Sequence, residues 1–389
     1  MSSRKQMGAR LKSRTPKILF IHNTAVWYRK PFFRRLSEKF NVKFVFTDIQ
    51  VQKEVYGVHI SDKIEGLDGV NYRVLENFRG ISAGLIEELL GYDCDVIIDS
   101  LGEREALLSF VVAKLRRKSI IFWSEDWGWK GKSLPGITTP RVIRFILAHS
   151  DAILVPGTKH KEYLISLGAL PSRVFIMPNV SNLVVKQEHY HRKEELKEKL
   201  NLEGKKTVLY VGRLVKRKGV DYLIRAFAKL IEEANDAVLI IVGDGECKGE
   251  LEQLSKSLNT EDYIHFIGAV DNMGLPSYYL LCDVCVVPSI TYGIGDPWVF
   301  VVNEAMLCGK PVIATDAVGA AFDMIKHGEN GFIVPEGEVN RLYEAMKTIL
   351  SDASLKERMG EESKRIIENG FKYEHMVEGF RNALKFVCG

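Results

Sequence analysis

Short, nearly unbroken apolar runs alternate with amphipathic stretches along most of the chain, and this alternation restricts the fold more than any other feature. The runs fall at residues 17–21, 42–47, 96–99, 119–123, 152–156 and 174–177, and again at 207–211, 237–242, 264–267, 284–288, 311–315 and 331–334. Val-, Ile- and Leu-rich strands that do not alternate in polarity are buried on both faces, the condition of a parallel sheet covered by helical crossovers. The series breaks once, at the polar and charged residues 187–206, where 193–200 reads as a short helix stopped by Gly204. At 389 residues the chain is too long for one ordinary core. The expected fold class is α/β, with two doubly wound, Rossmann-like domains that bind ligands outside the carboxyl ends of their strands. The expected division is a disordered basic tail at 1–16, a first domain at 17–180, a linker at 181–205, a second domain at 206–365 and a helix at 366–389 that crosses back to the first domain.

Composition narrows the class. Hydrophobic content of 46% and charged content of 27% are those of a soluble globular protein. No window approaches eighteen consecutive apolar residues, so no transmembrane helix is expected, and the basic first sixteen residues lack the apolar region of a secretory signal. Residues 1–180 hold 28 Lys and Arg against 18 Asp and Glu, a surplus of ten; the chain totals of 54 and 50 leave the remainder with a deficit of six. Basic clusters at 29–35, with interleaved phenylalanines, and at 114–118 favour an anionic membrane surface or a phosphorylated substrate; solvated helix faces are the alternative. No nucleic-acid module accompanies the charge, so no nucleic-acid partner is expected. The six cysteines form no disulfide framework and point to a reducing compartment, hence a cytoplasmic protein, which the basic first half would let sit peripherally on the cytoplasmic face of a membrane. Cys282 and Cys285 form a C-x-x-C pair without two further ligands nearby, and no metal site is expected.

Three stretches carry candidate chemistry. In the first, Asp296 and Glu304 are separated by seven residues at the start of an apolar helix. With Pro297 at the first helical position, Asp296 is the N-cap and Glu304 lies about 80° past two full turns, so both carboxylates point to one cleft while Val301, Val302, Ala305 and Met306 pack inward; a capped core helix with one exposed Glu is the alternative. Paired carboxylates suit a polyhydroxylated ligand because they accept hydrogen bonds from sugar or ribose hydroxyls. In the second, an apolar run ends at Gly212 and is followed by Arg213, Lys216, Arg217, Lys218 and Gly219 before an amphipathic helix. Glycine lets backbone approach a ligand, and cations at the mouth of a strand bind phosphate oxygens; a solvated turn is the alternative. The third, Val242-Gly243-Asp244-Gly245, is half of a dinucleotide fingerprint, but residue 248 is Lys where the third glycine belongs, which argues against a nicotinamide enzyme.

The order of the pieces is more specific than any one of them. Gly-Arg-Leu-x-x-x-Lys-Gly (212–219), Val-Gly-Asp-Gly (242–245), Ile-x-Phe-x-Gly (264–268), Pro-Ser (288–289), the acid-x7-Glu pair, Gly-Lys-Pro-Val-Ile-Ala-Thr (309–315) and Asn-Gly-Phe-Ile-Val (330–334) together resemble the retaining glycosyltransferase family 4 of group 1 glycosyltransferases. The resemblance is strong over residues 205–350 and diffuse over 17–180. It implies a GT-B fold, two Rossmann-like domains facing across a cleft, with an acceptor-binding first domain and a nucleotide-sugar-binding second domain. By position, Arg213 and Lys218 correspond to the pair that grips the donor diphosphate, and Gly212 to the backbone that comes close to it. Glu304 corresponds to the carboxylate on the ribose hydroxyls, and Asp296 to the acid that touches the transferred sugar. Gly243, Gly268, Pro288, Val299, Phe300 and Val301 complete the implied donor site. Asp296 is one methylene shorter than the Glu usual in the family, Val299 stands where Gly is frequent, and Gly319-Ala320-Ala321 replaces a Gly-Gly-Pro-Glu pattern.

In the first domain, the loop 22–33 contains Tyr28-Arg29-Lys30-Pro31, similar to family members whose opening loop reads Tyr-Arg-x-Pro. The loop 123–129 places Glu125 where relatives often have His. Tyr28, Arg29 and Trp127 are expected on the acceptor side, and Glu125 and Asp126 as acids that position the acceptor hydroxyl or take its proton; packing of the domain by its tryptophans is the alternative. The resemblance implies a retaining, metal-independent hexosyltransferase that moves a sugar from a UDP- or GDP-sugar, with no cofactor, to a saccharide or lipid-linked acceptor in polysaccharide or glycolipid synthesis. A nucleotide-sugar 2-epimerase of the same fold and a non-catalytic nucleotide-sugar-binding protein are the competing readings.

Overall fold

The structure, a computed structural model, describes residues 15–47, 64–75, 83–101, 105–125, 127, 140–233 and 235–389. It resolves into two compact units: the residues up to Pro178 together with Tyr373–Gly389, and Asn179–Lys372. In each, all strand pairs are parallel, as the uniformly apolar runs demand.

In the first unit the elements follow as β1 (Lys17–His22), α1 (Lys30–Lys39), β2 (Asn41–Phe46), β3 (Tyr72–Val74), α2 (Ala83–Gly91), β4 (Val96–Ser100), α3 (Ala106–Leu115), β5 (Ser119–Trp123), α4 (Pro140–His149), β6 (Ala152–Val155), α5 (Thr158–Ser166) and β7 (Val174–Ile176). The sheet order is β3-β2-β1-β4-β5-β6-β7. β3, a three-residue edge strand of half-buried residues, carries no apolar run and was not legible in the sequence. One face of the sheet is packed by Leu85 and Leu89 of α2, Phe110 and Ala113 of α3, Ile143, Ile146 and Leu147 of α4 and Leu164 of α5.

The second unit runs α6 (Gln187–Lys199), β8 (Lys206–Val211), α7 (Val220–Glu233), β9 (Ala237–Val242), α8 (Lys248–Ser257), β10 (Ile264–Gly268), α9 (Leu275–Leu281), β11 (Val284–Val287), α10 (Phe300–Leu307), β12 (Val312–Thr315), α11 (Ala321–Met324), β13 (Gly331–Val334), α12 (Val339–Ser351) and α13 (Ala353–Gly370). Its sheet order is β10-β9-β8-β11-β12-β13. Of the stretch read as a linker, most is α6, which packs on α9 within this unit. The expected closing helix is two helices, α13 and α14 (Tyr373–Cys388), separated at Phe371–Lys372; α13 belongs to the second unit and α14 to the first. Cys282, Cys285 and Cys308 are buried in the core of the second unit, and burial pushes the Cys282 thiol up to about 12. Among the described residues, no helix is long and apolar enough to cross a membrane.

Helix α14 covers the face of the first sheet opposite α2–α5, alongside α1. Its Phe380 is fully buried, stacked on Phe20 at 6.2 Å and edge-on to Phe32 and Phe40 at 6.3 and 5.1 Å. Phe380→Ala is expected to destabilise this unit by about 3–5 kcal/mol, the cost of emptying an aromatic site that cannot collapse. Four of the five tryptophans lie in residues 27–129, so a urea titration followed by tryptophan fluorescence reports on this unit. A loss under about 1 kcal/mol would show that α14 is not part of its core.

Candidate functional site

In the second unit the direction of the strand order reverses between β8 and β11, and the loops after these two strands leave the sheet side by side. Beyond β8 the Gly212 amide donates to the Val242 carbonyl at 3.0 Å, and the Gly243 amide donates to the Gly268 carbonyl at 2.8 Å. A Cβ on Gly243 would stand 1.9 Å from the Gly212 carbonyl oxygen, so no side chain fits there and the strand ends are bare backbone. Gly219 has φ 60°, and a Cβ there would lie 2.1 Å from the Pro288 carbonyl oxygen. The Ile290 amide donates to the Arg217 carbonyl at 2.8 Å, so the two loops press together backbone to backbone.

This contact aims Arg217 and Lys218 at one carboxylate. Arg217 Nη1 bonds Asp296 Oδ1, Lys218 Nζ bonds Asp296 Oδ2, and the Ser289 hydroxyl donates to Oδ2 at 2.7 Å. The loop after β12 completes the clamp: the Asp296 amide donates to Ala317 O at 2.8 Å, and the Gly319 amide donates to Asp296 O at 2.9 Å. Asp296 is 4% exposed. Burial alone would raise its pKa, but the Lys218 and Arg217 cations, with hydrogen bonds from Lys218 and Ser289, hold it below the usual carboxylate range.

Asp296 is therefore not the N-cap of the helix. Helix α10 begins three residues later than the sequence suggests, at Phe300, with Val299 as an N-cap that supplies no side-chain bond. The physical reason is that the Asp296 carboxylate is taken by two cations and its backbone by the β12 loop, leaving nothing to cap a helix. Val302, Ala305 and Met306 pack inward as expected; Val301 is half-buried.

Glu304 does not point out of the helix with Asp296. It is buried, accepting from the Ser181 hydroxyl at 2.9 Å on Oε1 and from the Tyr279 hydroxyl at 2.7 Å on Oε2. Among the described residues no cation pairs with it, and burial raises its pKa more than the two hydroxyls lower it. Beside it, Trp298 Nε1 donates to Asn303 Oδ1 at 3.1 Å and Asn303 Nδ2 donates to the Asn179 carbonyl at 3.1 Å.

Of the two cations expected to act as a pair, only Lys218 reaches this cluster. Arg213 is exposed, without a side-chain hydrogen bond or ion pair among the described residues, although its carbonyl is fixed by the Tyr210 hydroxyl at 2.8 Å. Gly268 sits in open space at the end of β10. Arg217, Ser289, Ser181 and Tyr279 had not been assigned roles. Arg217 and Ser289 lie within the motifs and were recognisable from their neighbours; Ser181 and Tyr279, 123 and 25 residues from Glu304, had no signal.

The first unit gathers a second polar cluster at the ends of β1 and β5. Arg29 is buried, its guanidinium 4.2 Å from the Trp123 ring centroid and 5.4 Å from that of Tyr28, and it is ion-paired with the exposed Glu125. His22 packs beside Trp123; burial first, then the Arg29 charge, pushes its pKa down to about 3. Its Nδ1 accepts from the Thr24 amide at 3.0 Å, so the neutral ring carries its proton on Nε2. Trp127 is half-buried near His160, and Asp126 lies outside the described residues. Among the described residues no group of three His, Cys, Asp or Glu is arranged to hold a metal.

The two carboxylates give opposite expectations. The lowered pKa of Asp296 means that its ionised form contributes stability above the ordinary Asp pKa, and that this contribution is lost as the pH falls through the lower folded value. Asp296→Asn, which strands Arg217 and Lys218, is expected to cost about 3–5 kcal/mol at neutral pH, with the gap to wild type closing below about pH 4. An equal gap at all pH values in thermal melts would refute the ion cluster. The raised pKa of Glu304 means that its ionised form weakens the fold above the folded pKa, a penalty that vanishes as the pH drops below the ordinary value. Glu304→Gln is expected to melt at or above wild type at pH 7, an advantage that fades toward pH 4; a much lower melting point at neutral pH would contradict this.

With this geometry in hand, comparison with known proteins is direct. The family described as Glycosyl transferases group 1 matches residues 192–366. Alpha-D-kanosaminyltransferase of Streptomyces kanamyceticus is 33% identical over 170 residues, 44% of this chain and 43% of that protein. Spore coat protein SA of Bacillus subtilis is 34% identical over 200 residues, 49% of this chain and 52% of that protein. The GDP-mannose-dependent alpha-(1-6)-phosphatidylinositol monomannoside mannosyltransferase of Mycobacterium tuberculosis is 27% identical over 248 residues, 63% of this chain and 64% of that protein. The chain thus spans about half the length of the first of these curated relatives. Among solved structures, Anabaena HepE in complex with UDP and glucose superimposes with a TM-score of 0.71 at 19% identity, covering 95% of this chain and 99% of that one. Sucrose-phosphate synthase of Thermosynechococcus elongatus gives 0.69 at 23% identity over 96% and 98%, so these structures share the fold of two Rossmann-like domains. Residues 192–366 of the chain thus match the group 1 glycosyl transferases, and its fold is the one these solved structures share.

Proposed function

We propose that this protein is a retaining, metal-independent glycosyltransferase that moves a hexose from a nucleoside diphosphate sugar to the hydroxyl of a saccharide or lipid-linked acceptor. The observation that carries the reading is the cation set at the β8–β11 reversal: Lys218 and Arg217 converge on one buried carboxylate, and Arg213 stands exposed on the same loop. In the proposed reaction the bond between the anomeric carbon and the diphosphate oxygen breaks, and the acceptor oxygen bonds to that carbon on the same face. Arg213 and Lys218 stabilise the charge that accumulates on the departing diphosphate, the task a metal ion performs in other transferases. The N-terminus of α10, which no side chain caps, adds its dipole. A diphosphate that draws Lys218 away would free one oxygen of Asp296 for a sugar hydroxyl; the shorter side chain keeps the charge the family places there. Glu304, already bonded to two hydroxyls, is chemically suited to exchange them for those of a ribose.

On the acceptor side we assign Tyr28, Arg29, Trp127 and the neutral His22 to binding. Glu125, ion-paired with Arg29, orients the acceptor hydroxyl and takes its proton as the new bond forms; Asp126 is the alternative proton acceptor. The Mycobacterium tuberculosis relative is named for a phosphatidylinositol-linked acceptor, and the basic first 180 residues of this chain suit a lipid-linked phosphate. We place the protein in the cytoplasm.

A thermal-shift panel of UDP-, GDP- and ADP-sugars is expected to identify a donor, because a ligand that binds only the folded state raises its melting point. Glu304→Gln is expected to abolish that shift. Arg213→Ala leaves every described contact of the fold intact and is expected to lower donor turnover by about 10²–10³. Turnover within a few-fold of wild type would remove Arg213 from the reaction, and NMR detection of a 2-epimer from donor alone would replace transfer with epimerisation.

A further inference from the structure

The outer face of the helical layer over β4, β5 and β6 is aliphatic where solvent would favour polar residues. In α3, Phe110 and Ala113 face the sheet, yet Leu107, Val111 and Leu115, spaced four apart on the opposite side, are 44%, 43% and 78% exposed. Eight of the ten residues of this helix are apolar, so it has no polar face to turn outward. The neighbouring helices continue the surface. α2 packs on α3 and exposes Leu90 at 56%; α4 exposes Phe145 at 55%, its ring 5.9 Å from that of Phe110. Scattered apolar side chains are ordinary on a protein surface, but an apolar stripe shared by three adjoining helices is not.

Among the described residues, the unpaired charge around this face has one sign. Arg117, just beyond α3, and Arg141 and Arg144, on α4, are exposed, and their side chains have no ion-pair or hydrogen-bond partner among the described residues. The nearby acids are already engaged: Glu87 by Arg73 at 3.0 Å, Asp93 by Lys118 at 3.6 Å and Asp151 by Lys114 at 2.8 Å. Isologous pairing of two copies through this face would ring the contact with unneutralised cations from both. A bilayer bearing anionic headgroups meets both features, taking the aliphatic stripe into its headgroup–acyl boundary and the arginines onto lipid phosphates.

We propose that the α2–α3–α4 face of the first unit seats on an anionic lipid bilayer, with Leu107, Val111 and Leu115 entering the interface and Arg117, Arg141 and Arg144 contacting headgroup phosphates. This names the partner surface for the lipid-linked acceptor of the proposed transferase, and it does not depend on the donor site being active.

The test is co-sedimentation of the full chain with vesicles of phosphatidylcholine containing phosphatidylglycerol, and with phosphatidylcholine alone. Wild type is expected to pellet with the anionic vesicles and to be released as salt is raised. The triple variant L107Q/V111Q/L115Q is expected to bind at least about tenfold more weakly. R117Q/R141Q/R144Q is expected to lose about fivefold per arginine, together with most of the salt dependence. L115W, which places an indole on the stripe, is expected to show a blue shift in emission when anionic vesicles are added. Wild type remaining in the supernatant at low salt, equal binding by the glutamine triple variant, or an unshifted L115W spectrum would each overturn the proposal. So would a wild-type dimer in sedimentation equilibrium that L107Q/V111Q/L115Q makes monomeric, since the face would then belong to a second copy. Thermal shifts with nucleotide sugars, read on the same proteins, separate the two claims: vesicle binding without any donor shift leaves the membrane face and removes the transferase reading, and the reverse removes only the face.

Discussion

One buried carboxylate organises the second unit at the ends of its strands. Asp296 joins the loop after β8, through Arg217 and Lys218, to the loop after β11, through Ser289, and to the loop after β12, through its own backbone. Other bonds tie these loops down singly, such as the Tyr210 hydroxyl to the Arg213 carbonyl and the Thr315 hydroxyl to the Ser289 carbonyl, but Asp296 joins all three. A carboxylate with so little access to solvent is tolerable only because two cations and a hydroxyl meet it. The same cations are what an anionic ligand would seek, so the groups that hold the loops together and the groups suited to bind phosphate are the same groups. In the proposed donor site, stability and binding therefore draw on one set of side chains.

The contrast with Glu304 sharpens the point. Both acids are buried, yet cations keep one ionised below its usual range, while the other has only hydroxyl partners and is raised above it. Environments that push two carboxyls apart mark different tasks. Asp296 is locked in place as a charge, whereas Glu304 is held by neutral donors that a ligand's hydroxyls can replace at modest cost. Its burial is a standing penalty to the fold, which the proposed contact with ribose hydroxyls would offset.

In the first unit the ends of β1 and β5 carry another charged group under aromatic cover. Arg29 lies over Trp123 and is balanced by Glu125 at its exposed end, and the neutral His22 beside it offers one fixed N–H. Beneath this cluster the phenylalanines of β1, α1 and α14 make a rigid floor. α14, contributed by the last residues of the chain, therefore supports a cluster built from the first ones.

The sequence by itself determined the α/β class, twelve of the thirteen strands among the described residues, the division into two doubly wound sheets and the loops that carry the motifs. These follow from local facts: unbroken apolar runs force burial on both faces, and glycines and cations cluster where strands end. β3 escaped because an edge strand of three half-buried residues needs no apolar run. The start of α10 was misread because a Pro following an acid satisfies the local rule for a cap, while the Asp296 carboxylate was claimed by residues almost eighty positions earlier. Arg213 and Lys218 looked equivalent as a motif; only the packing of Gly219 against Pro288 decided that Lys218 and Arg217 reach the carboxylate and Arg213 does not. The partners of Glu304, and the outward turn of an aliphatic helix face, were likewise decided in three dimensions. Periodicity reports which residues are apolar, but which hydroxyl meets which carboxylate, and what covers a face, depend on contacts between residues far apart in the chain.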